Sequence, residues 1–90
     1  MENRSCIQQS LDQIEAELAS EISVNELAQK TGYSIFYYYH IFQKEVKMPV
    51  MQYIIRRRLL HGIYEMSQGE KKIDIALKYG FLTYAGFYKA

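Results

Sequence analysis

Apolar residues recur near the start of the chain at the spacing of an amphipathic helix. Ile7, Leu11, Ile14 and Leu18 are four, three and four residues apart, which places one apolar stripe against a core. Ser5 is a suitable N-cap for this first helix. We interpret the acidic side chains on its other side as a solvated face without a functional role, so the helix is predicted to serve only for packing.

A second helix is predicted between Ser23 and Gly32. Ser23 and Glu26 have the spacing of a capping box, in which side chains satisfy the unpaired amides at the helix start. Leu27 and Ala28 face inward, and the small Ala28 allows another helix to approach closely. Gly32 follows the last turn, where glycine adopts the left-handed conformation without a Cβ penalty. The chain should therefore turn sharply after this helix.

The segment from Ser34 to Lys47 predicts a third helix with two unlike faces. Ser34 is a favourable N-cap, and Tyr33 and Tyr38 occupy the positions of a hydrophobic staple. At about 100° per residue, one side of the helix is mostly apolar and the other is not. The second side holds Phe36, Tyr39, His40, Gln43 and Lys47. A solvated face does not need exposed aromatic rings, so this surface is predicted to contact a partner. A helix, a glycine turn and a capped helix together indicate a helix-turn-helix.

A long fourth helix is predicted from Pro49 to about Gln68. Proline suits the first helical position, because its missing amide would be unpaired there. Roughly 18–20 residues span about 27–30 Å, and the apolar positions cover more than one stripe. Gly62 in mid-helix indicates a close helix crossing. Residues 56–58 are arginines that point in three directions. Either two are solvated and one forms a structural pair, or at least one contacts a phosphate.

An internal repeat follows the fourth helix. The motif Leu-Ala-x-x-x-Gly-Tyr at residues 27–33 returns, shifted by 48 residues, as Ile-Ala-x-x-x-Gly-Phe at residues 75–81. Thr83 is then a suitable N-cap for a sixth helix, with Phe87 facing inward. The outward positions of that helix, or those beside them, are Tyr84, Ala85, Tyr88 and Lys89.

The chain is thus predicted to be all-α, with two helix-turn-helix units joined by a linker helix. The first unit spans residues 1–48, the linker spans residues 49–68, and the second unit spans residues 69–90 and is truncated at its C-terminus. A rod of about 27–30 Å between two recognition helices approximates the ~34 Å between successive major-groove faces of B-DNA. Double-stranded DNA is therefore the predicted partner, with the helix N-termini at Ser34 and Thr83 near phosphates.

The distribution of charge supports a polyanionic partner, although the 90-residue chain has a net charge of only +1. Residues 1–28 carry six acidic side chains and one basic side chain, whereas residues 29–90 carry ten basic and four acidic side chains. The positive charge therefore lies where the tyrosines lie, as an electrostatic footprint for DNA requires.

The sequence contains no pattern that predicts an enzyme. His40 and His61 lie on different predicted helices, and we expect no acidic residue to orient either of them. No metal-ligand spacing and no glycine-rich phosphate loop occur, so neither a cofactor nor a metal is predicted. Cys6 is the single cysteine, which excludes an intrachain disulfide. Without a signal peptide or a transmembrane stretch, the protein is expected to be cytoplasmic, nucleoid-associated and without a membrane partner.

These motifs and their spacing resemble the C-terminal DNA-binding domain of the AraC/XylS transcriptional regulators over nearly the whole chain. The matching segments are residues 27–34, Phe42, residues 49–59, residues 75–81 and Phe87. The resemblance implies homeodomain-like three-helix units whose third and sixth helices read bases. The implied base-reading residues are Phe36, Tyr39, His40, Tyr84, Ala85, Tyr88 and Lys89. The expected DNA-backbone contacts are Ser34, Tyr37, Gln43, Lys44, Arg56 and Thr83. The structural positions are Leu27, Ala28, Gly32, Tyr38, Phe42, Arg58, Ile75, Ala76, Gly80 and Phe87.

Several positions depart from the family pattern. His40 stands where the family often has arginine, and Phe36 and Tyr39 replace residues that are often polar. We therefore expect fewer bidentate base contacts and more apolar contact with thymine methyl groups. Lys47 replaces a common glycine after the third helix.

The family continues past Ala90, so the chain is expected to be a fragment of a longer protein. Any effector ligand would bind a domain absent from this chain, and RNA polymerase is an expected partner if the protein is an activator. The alternative hypothesis is a helical protein-interaction module that uses the tyrosine-rich face at residues 37–39. The salt dependence of the binding affinity distinguishes DNA binding from this alternative. Phosphate contacts weaken as the salt concentration rises, whereas the affinity of an apolar protein interface barely responds.

Overall fold

The computed structural model describes residues 3–80, which form five α-helices and no strand. The helices are α1 (Asn3–Ala16), α2 (Val24–Thr31), α3 (Ile35–Val46), α4 (Val50–Ser67) and α5 (Lys72–Lys78). The predicted all-α class is therefore confirmed. The predicted sixth helix lies outside the described residues, together with Thr83, Tyr84, Ala85, Phe87, Tyr88 and Lys89.

The caps of α2 and α3 form as the sequence predicts. Ser23 Oγ accepts a hydrogen bond from the Glu26 amide at 3.3 Å, and Ser34 Oγ accepts one from the Tyr37 amide at 3.2 Å. Gly32 ends α2 with a φ of 81°. A Cβ at Gly32 would meet no atom within 4 Å, so the left-handed backbone rather than crowding favours glycine there.

Two predicted helix starts are wrong. α1 begins at Asn3, so Ser5 lies inside the helix and does not cap it. The helix also ends at Ala16, which leaves Leu18 beyond its last turn, although Leu18 is still buried. α4 begins at Val50, and Pro49 precedes it with an extended ψ of 147°. In that position, proline fixes the direction of the chain just before the helix rather than forming its first residue.

One continuous core connects all five helices. It consists of Ile7, Ile14, Leu18, Leu27, Ala28, Tyr38, Ile41, Phe42, Val50, Ile54, Ile75, Ala76 and Tyr79. At its centre, the Phe42 ring lies 6.0 Å from the Tyr38 ring and 5.7 Å from the Tyr53 ring, measured between centroids. Phe42 therefore joins α3 to α4. Gly62 is also buried within α4.

The end of α3 carries backbone strain. Lys47 has a φ of 70° and donates its amide to the Gln43 carbonyl at 2.9 Å. A left-handed conformation costs an L-residue about 1–2 kcal/mol, whereas glycine adopts it freely. We expect Lys47→Gly to raise the free energy of unfolding by about 1 kcal/mol, measured by urea titration. Gly32→Ala, at the equivalent turn with a φ of 81°, is the opposite control and should be destabilising. A Lys47→Gly variant less stable than wild type would contradict this interpretation.

The consecutive arginines of α4 have separate roles. Arg57 Nε donates to Glu15 Oε1 at 2.5 Å. Arg58 donates to the carbonyls of Leu18 and Ser20 at 3.0 and 2.8 Å. Arg56 is exposed. Of the two alternatives that the sequence left open, two solvated arginines with one structural pair is therefore wrong, because two of the three side chains hold α4 against the first unit. A phosphate contact by Arg56 stays a prediction.

None of the five described helices is both long enough and apolar enough to cross a membrane.

Candidate nucleic-acid interface

The outward face of α3 gathers the first-unit residues that the sequence singled out. Phe36 is 82% exposed, Tyr37 is 44% exposed and Tyr39 is 40% exposed. His40, Gln43, Lys44 and Lys47 are exposed along the same helix or at its end. Tyr38, Ile41 and Phe42 are buried on the opposite side. The helix therefore presents a large apolar ring, polar side chains and positive charge on one accessible surface.

A row of aromatic rings supports this surface from the turn that precedes α3. The Tyr33 and Tyr37 rings meet edge to face, with their centroids 4.8 Å apart, and the His40 ring lies 6.3 Å from Tyr37. Tyr33 was predicted to staple onto Tyr38; its ring contacts Tyr37, and it also packs against the core cluster that contains Tyr38. Because edge-to-face packing restricts both rings, Tyr37 holds a preferred position beside His40.

Polar groups suited to phosphate lie at two places on α3. At its start, the Ser34 hydroxyl caps one amide, and the other amides of the first turn lack carbonyl partners within the helix. Such a helix start attracts anions because its amides and its dipole are both favourable. Farther along, His40, Gln43 and Lys44 line a shallow surface pocket.

Arg56 lies on a different helix from this surface. It is exposed on α4, in a groove whose other lining residues are mostly apolar, such as Ile55 and Leu59. The second-unit candidates for base or phosphate contact follow Gly80 and lie outside the described residues. Residues 3–80 thus contain eight of the thirteen predicted DNA contacts.

The structure also reveals a cluster that sequence reasoning missed. Glu15 Oε2 lies 3.1 Å from His61 Nε2 and 3.4 Å from Arg57 Nη2, and His61 Nε2 lies 3.3 Å from Arg57 Nη2. Two interpretations are therefore wrong. Glu15 is not simply part of a solvated face, and His61 does have an acidic partner. Glu15 and Arg57 are 42 residues apart, and no local pattern signals a contact between two such distant positions.

Electrostatics in this cluster favour the ion pair. The hydrogen bond from Arg57 lowers the pKa of the Glu15 carboxyl, although partial burial opposes that shift. The same hydrogen bond raises the pKa of Arg57. Burial lowers the pKa of the neighbouring Arg58, whose donors face two backbone carbonyls rather than a carboxylate. Glu15 and Arg57 are thus both charged at neutral pH.

Comparison with known proteins places this chain in a family. A helix-turn-helix domain family matches residues 8–90. The chain is 37% identical over 86 residues to the HTH-type transcriptional activator AarP of Providencia stuartii. The aligned segment covers 94% of this chain and 64% of AarP. It is 35% identical over 82 residues to the uncharacterized HTH-type transcriptional regulator YbfP of Bacillus subtilis. That aligned segment covers 90% of this chain and 28% of YbfP.

A third relative is similar over more of its own length. The regulatory protein SoxS of Salmonella typhimurium is 28% identical over 88 residues, which covers 97% of this chain and 82% of SoxS. The chain spans less than two thirds of the length of AarP and less than one third of the length of YbfP. The matched segment includes both copies of the repeated motif and the whole of α3. The chain therefore belongs to the AraC/XylS family of helix-turn-helix transcription regulators.

Proposed function

We propose that the exposed face of α3 enters the major groove of double-stranded DNA and reads bases there. The family to which the chain belongs binds DNA sequence-specifically. The observation that supports α3 as the reading element is the 82% exposure of Phe36 on a capped helix whose opposite face is fully buried. A rigid helix with an outward aromatic, polar and cationic surface fits the groove, which admits one α-helix.

The proposed base-reading residues of this unit are Phe36, Tyr39 and His40. Phe36 has no polar side-chain atom, so it suits contact with the C5-methyl group of thymine. Tyr39 and His40 supply hydrogen-bond donors and acceptors at the adjacent positions of the helix. Specificity in this half of the binding site would then combine apolar contact with a small number of hydrogen bonds.

The proposed phosphate contacts lie around these residues. The first amides of α3 beside Ser34, the Tyr37 hydroxyl and the side chains of Gln43 and Lys44 would hold one stretch of backbone. Arg56 would contact a phosphate from α4. Such contacts set the register of the protein on the duplex but carry no sequence information directly.

The second unit would read the next major-groove segment along the duplex. α4 has 18 residues, which corresponds to about 27 Å and approaches the ~34 Å between major-groove faces. Tyr84, Ala85, Tyr88 and Lys89 are the proposed base contacts of that unit, with Thr83 on a phosphate. Residues 1–48, 49–68 and 69–90 would thus act as reader, spacer and second reader.

Further partners belong to the wider proposal. AarP is named a transcriptional activator, and an activating role for this protein would make RNA polymerase a partner. Its site of action would be the nucleoid in the cytoplasm. The relatives are named as regulators rather than enzymes, and the proposed role requires no catalytic step.

A selection experiment with a salt series tests the proposed function. The protein is incubated with duplexes that have a randomised core, the bound duplexes are amplified, and the affinity for the enriched duplex is measured from about 50 to 200 mM KCl. We expect enrichment of a consensus sequence and a linear fall of log K with log salt. Lys44→Ala should make the slope shallower by about 0.9, as expected for one lost phosphate contact.

Two outcomes would contradict this function. Failure to enrich any sequence would reject specific DNA reading. An affinity for the enriched duplex that barely responds to salt would reject the proposed phosphate contacts. No binding to any duplex, together with a salt-insensitive complex with a protein partner, would favour the alternative, in which the tyrosine-rich face at residues 37–39 binds another protein.

A further inference from the structure

We propose that Glu15 is a positioning residue for DNA binding, because its contact with Arg57 and His61 sets the angle between the first unit and the linker helix. This inference rests on the proposed function, in which α4 separates two reading units. Glu15 itself would touch no DNA. It would determine where the second unit lies when α3 is seated in its groove.

The geometry of the contact is restrictive. Arg57 presents Nε to Glu15 Oε1 at 2.5 Å and Nη2 to Glu15 Oε2 at 3.4 Å, so both carboxylate oxygens face the guanidinium. His61, one turn later on α4, contacts Oε2 at 3.1 Å. A planar guanidinium paired with a planar carboxylate fixes orientation as well as distance. Two successive turns of α4 are thereby held to one side chain of α1.

This contact lies far enough along α4 to be sensitive to the direction of the helix. α4 begins at Val50, directly after the Pro49 turn. Arg57 and His61 lie seven and eleven residues farther along, which corresponds to about 10 and 16 Å. A small rotation about the turn would move them away from Glu15 before it disturbed Val50. The contact therefore restrains the direction of the rod.

Further contacts continue from His61 to α5 in the second unit. The Tyr79 ring, at the end of α5, lies 6.4 Å from the His61 ring. The Tyr79 hydroxyl donates to Glu65 Oε1 at 2.7 Å, and Lys78 forms an ion pair with the same carboxylate at 2.7 Å. Glu15 in α1 is thus connected to α5 through side chains that α4 holds between the two units.

The spacing between the two DNA segments provides the test. Footprinting on the enriched duplex defines the segments contacted by each unit. Three duplexes are then compared: the enriched duplex, one with a single base pair inserted between the segments, and one that retains only the first-unit segment. Wild-type protein should lose affinity on the inserted duplex, because a rigid rod accepts one spacing.

Glu15→Gln removes the charge while keeping the shape of the side chain. We expect this variant to lose about fivefold in affinity on the enriched duplex, to keep wild-type affinity on the first-unit segment, and to show a smaller penalty for the insertion. Arg57→Lys, which keeps the charge but loses the planar guanidinium, should show the same pattern.

Asp12→Asn is the matched control, because it removes one negative charge from the same helix. Asp12 is exposed and accepts a hydrogen bond only from Gln8, within α1, among the contacts of the described residues. It should leave the insertion penalty at the wild-type value. Far-UV circular dichroism and a urea titration show that each variant is folded before binding is measured.

The outcomes separate this inference from the proposed function. Equal insertion penalties for wild type, Glu15→Gln and Arg57→Lys would overturn the positioning role alone. An equal loss on the enriched duplex and on the first-unit segment would also overturn it, because Glu15 would then only stabilise the first unit. Failure of the wild-type protein to enrich any duplex would reject the proposed function itself.

Discussion

Phe42→Ala should lower the free energy of unfolding by about 3–5 kcal/mol, which is the usual cost of truncating a buried phenylalanine. The Phe42 side chain has no exposed surface and contacts rings from α3 and α4. Its removal would leave a cavity where these two helices meet. Because a typical domain has a total stability of only about 5–15 kcal/mol, most of the margin of this 90-residue chain would be lost. Urea titration followed by far-UV circular dichroism measures the change.

Phe36→Ala is the matched control for that experiment. It makes the same substitution in the same helix, but at a side chain that is 82% exposed. Its effect on stability should stay within about 0.5 kcal/mol, as is usual for surface positions. A loss comparable to that of Phe42→Ala would mean that Phe36 is packed, and it would remove the physical basis for α3 as a reading helix.

Much of the first unit could be predicted from the sequence because its signals are local. A serine three residues before the amide it caps and a glycine after the last turn are set by the geometry of one helix end. The two faces of α3 likewise follow from helical periodicity, so Phe36 and Phe42 could be assigned to opposite sides without coordinates. For the same reason, the left-handed turn at Gly32 was expected.

Contacts between distant helices could not be predicted in the same way. Arg57 and Arg58 have the same side chain and adjacent positions, yet one pairs with Glu15 and the other with the carbonyls after α1. Which partner each reaches depends on how α4 crosses α1, and no local pattern records that crossing. The predicted start of α1 was wrong because Ser5 satisfies the N-cap preference, whereas the helix already includes Asn3, two residues before Ser5.

Phe36→Ala should weaken DNA binding about tenfold or more while leaving the fold intact. Burying a phenylalanine side chain stabilises a complex by about 1.5–3 kcal/mol, and Phe36 exposes nearly all of that surface in the free protein. The affinity is measured on the enriched duplex, and Lys44→Ala serves as the comparison. If Lys44 contacts a phosphate, its removal should weaken binding to all sequences alike.

Replacing thymine by uracil in the enriched duplex identifies what Phe36 contacts. Each uracil removes one C5-methyl group and leaves the base pair unchanged. At about 0.8 kcal/mol per buried carbon, loss of the contacted methyl should cost wild-type protein about fourfold in affinity. The Phe36→Ala variant should show no such loss at that base, because it lacks the ring that buries the methyl group. Lys44→Ala should keep the full fourfold effect. A thymine-to-uracil penalty that is equal in wild type and Phe36→Ala would assign the methyl contact to another residue and reject Phe36 as its reader.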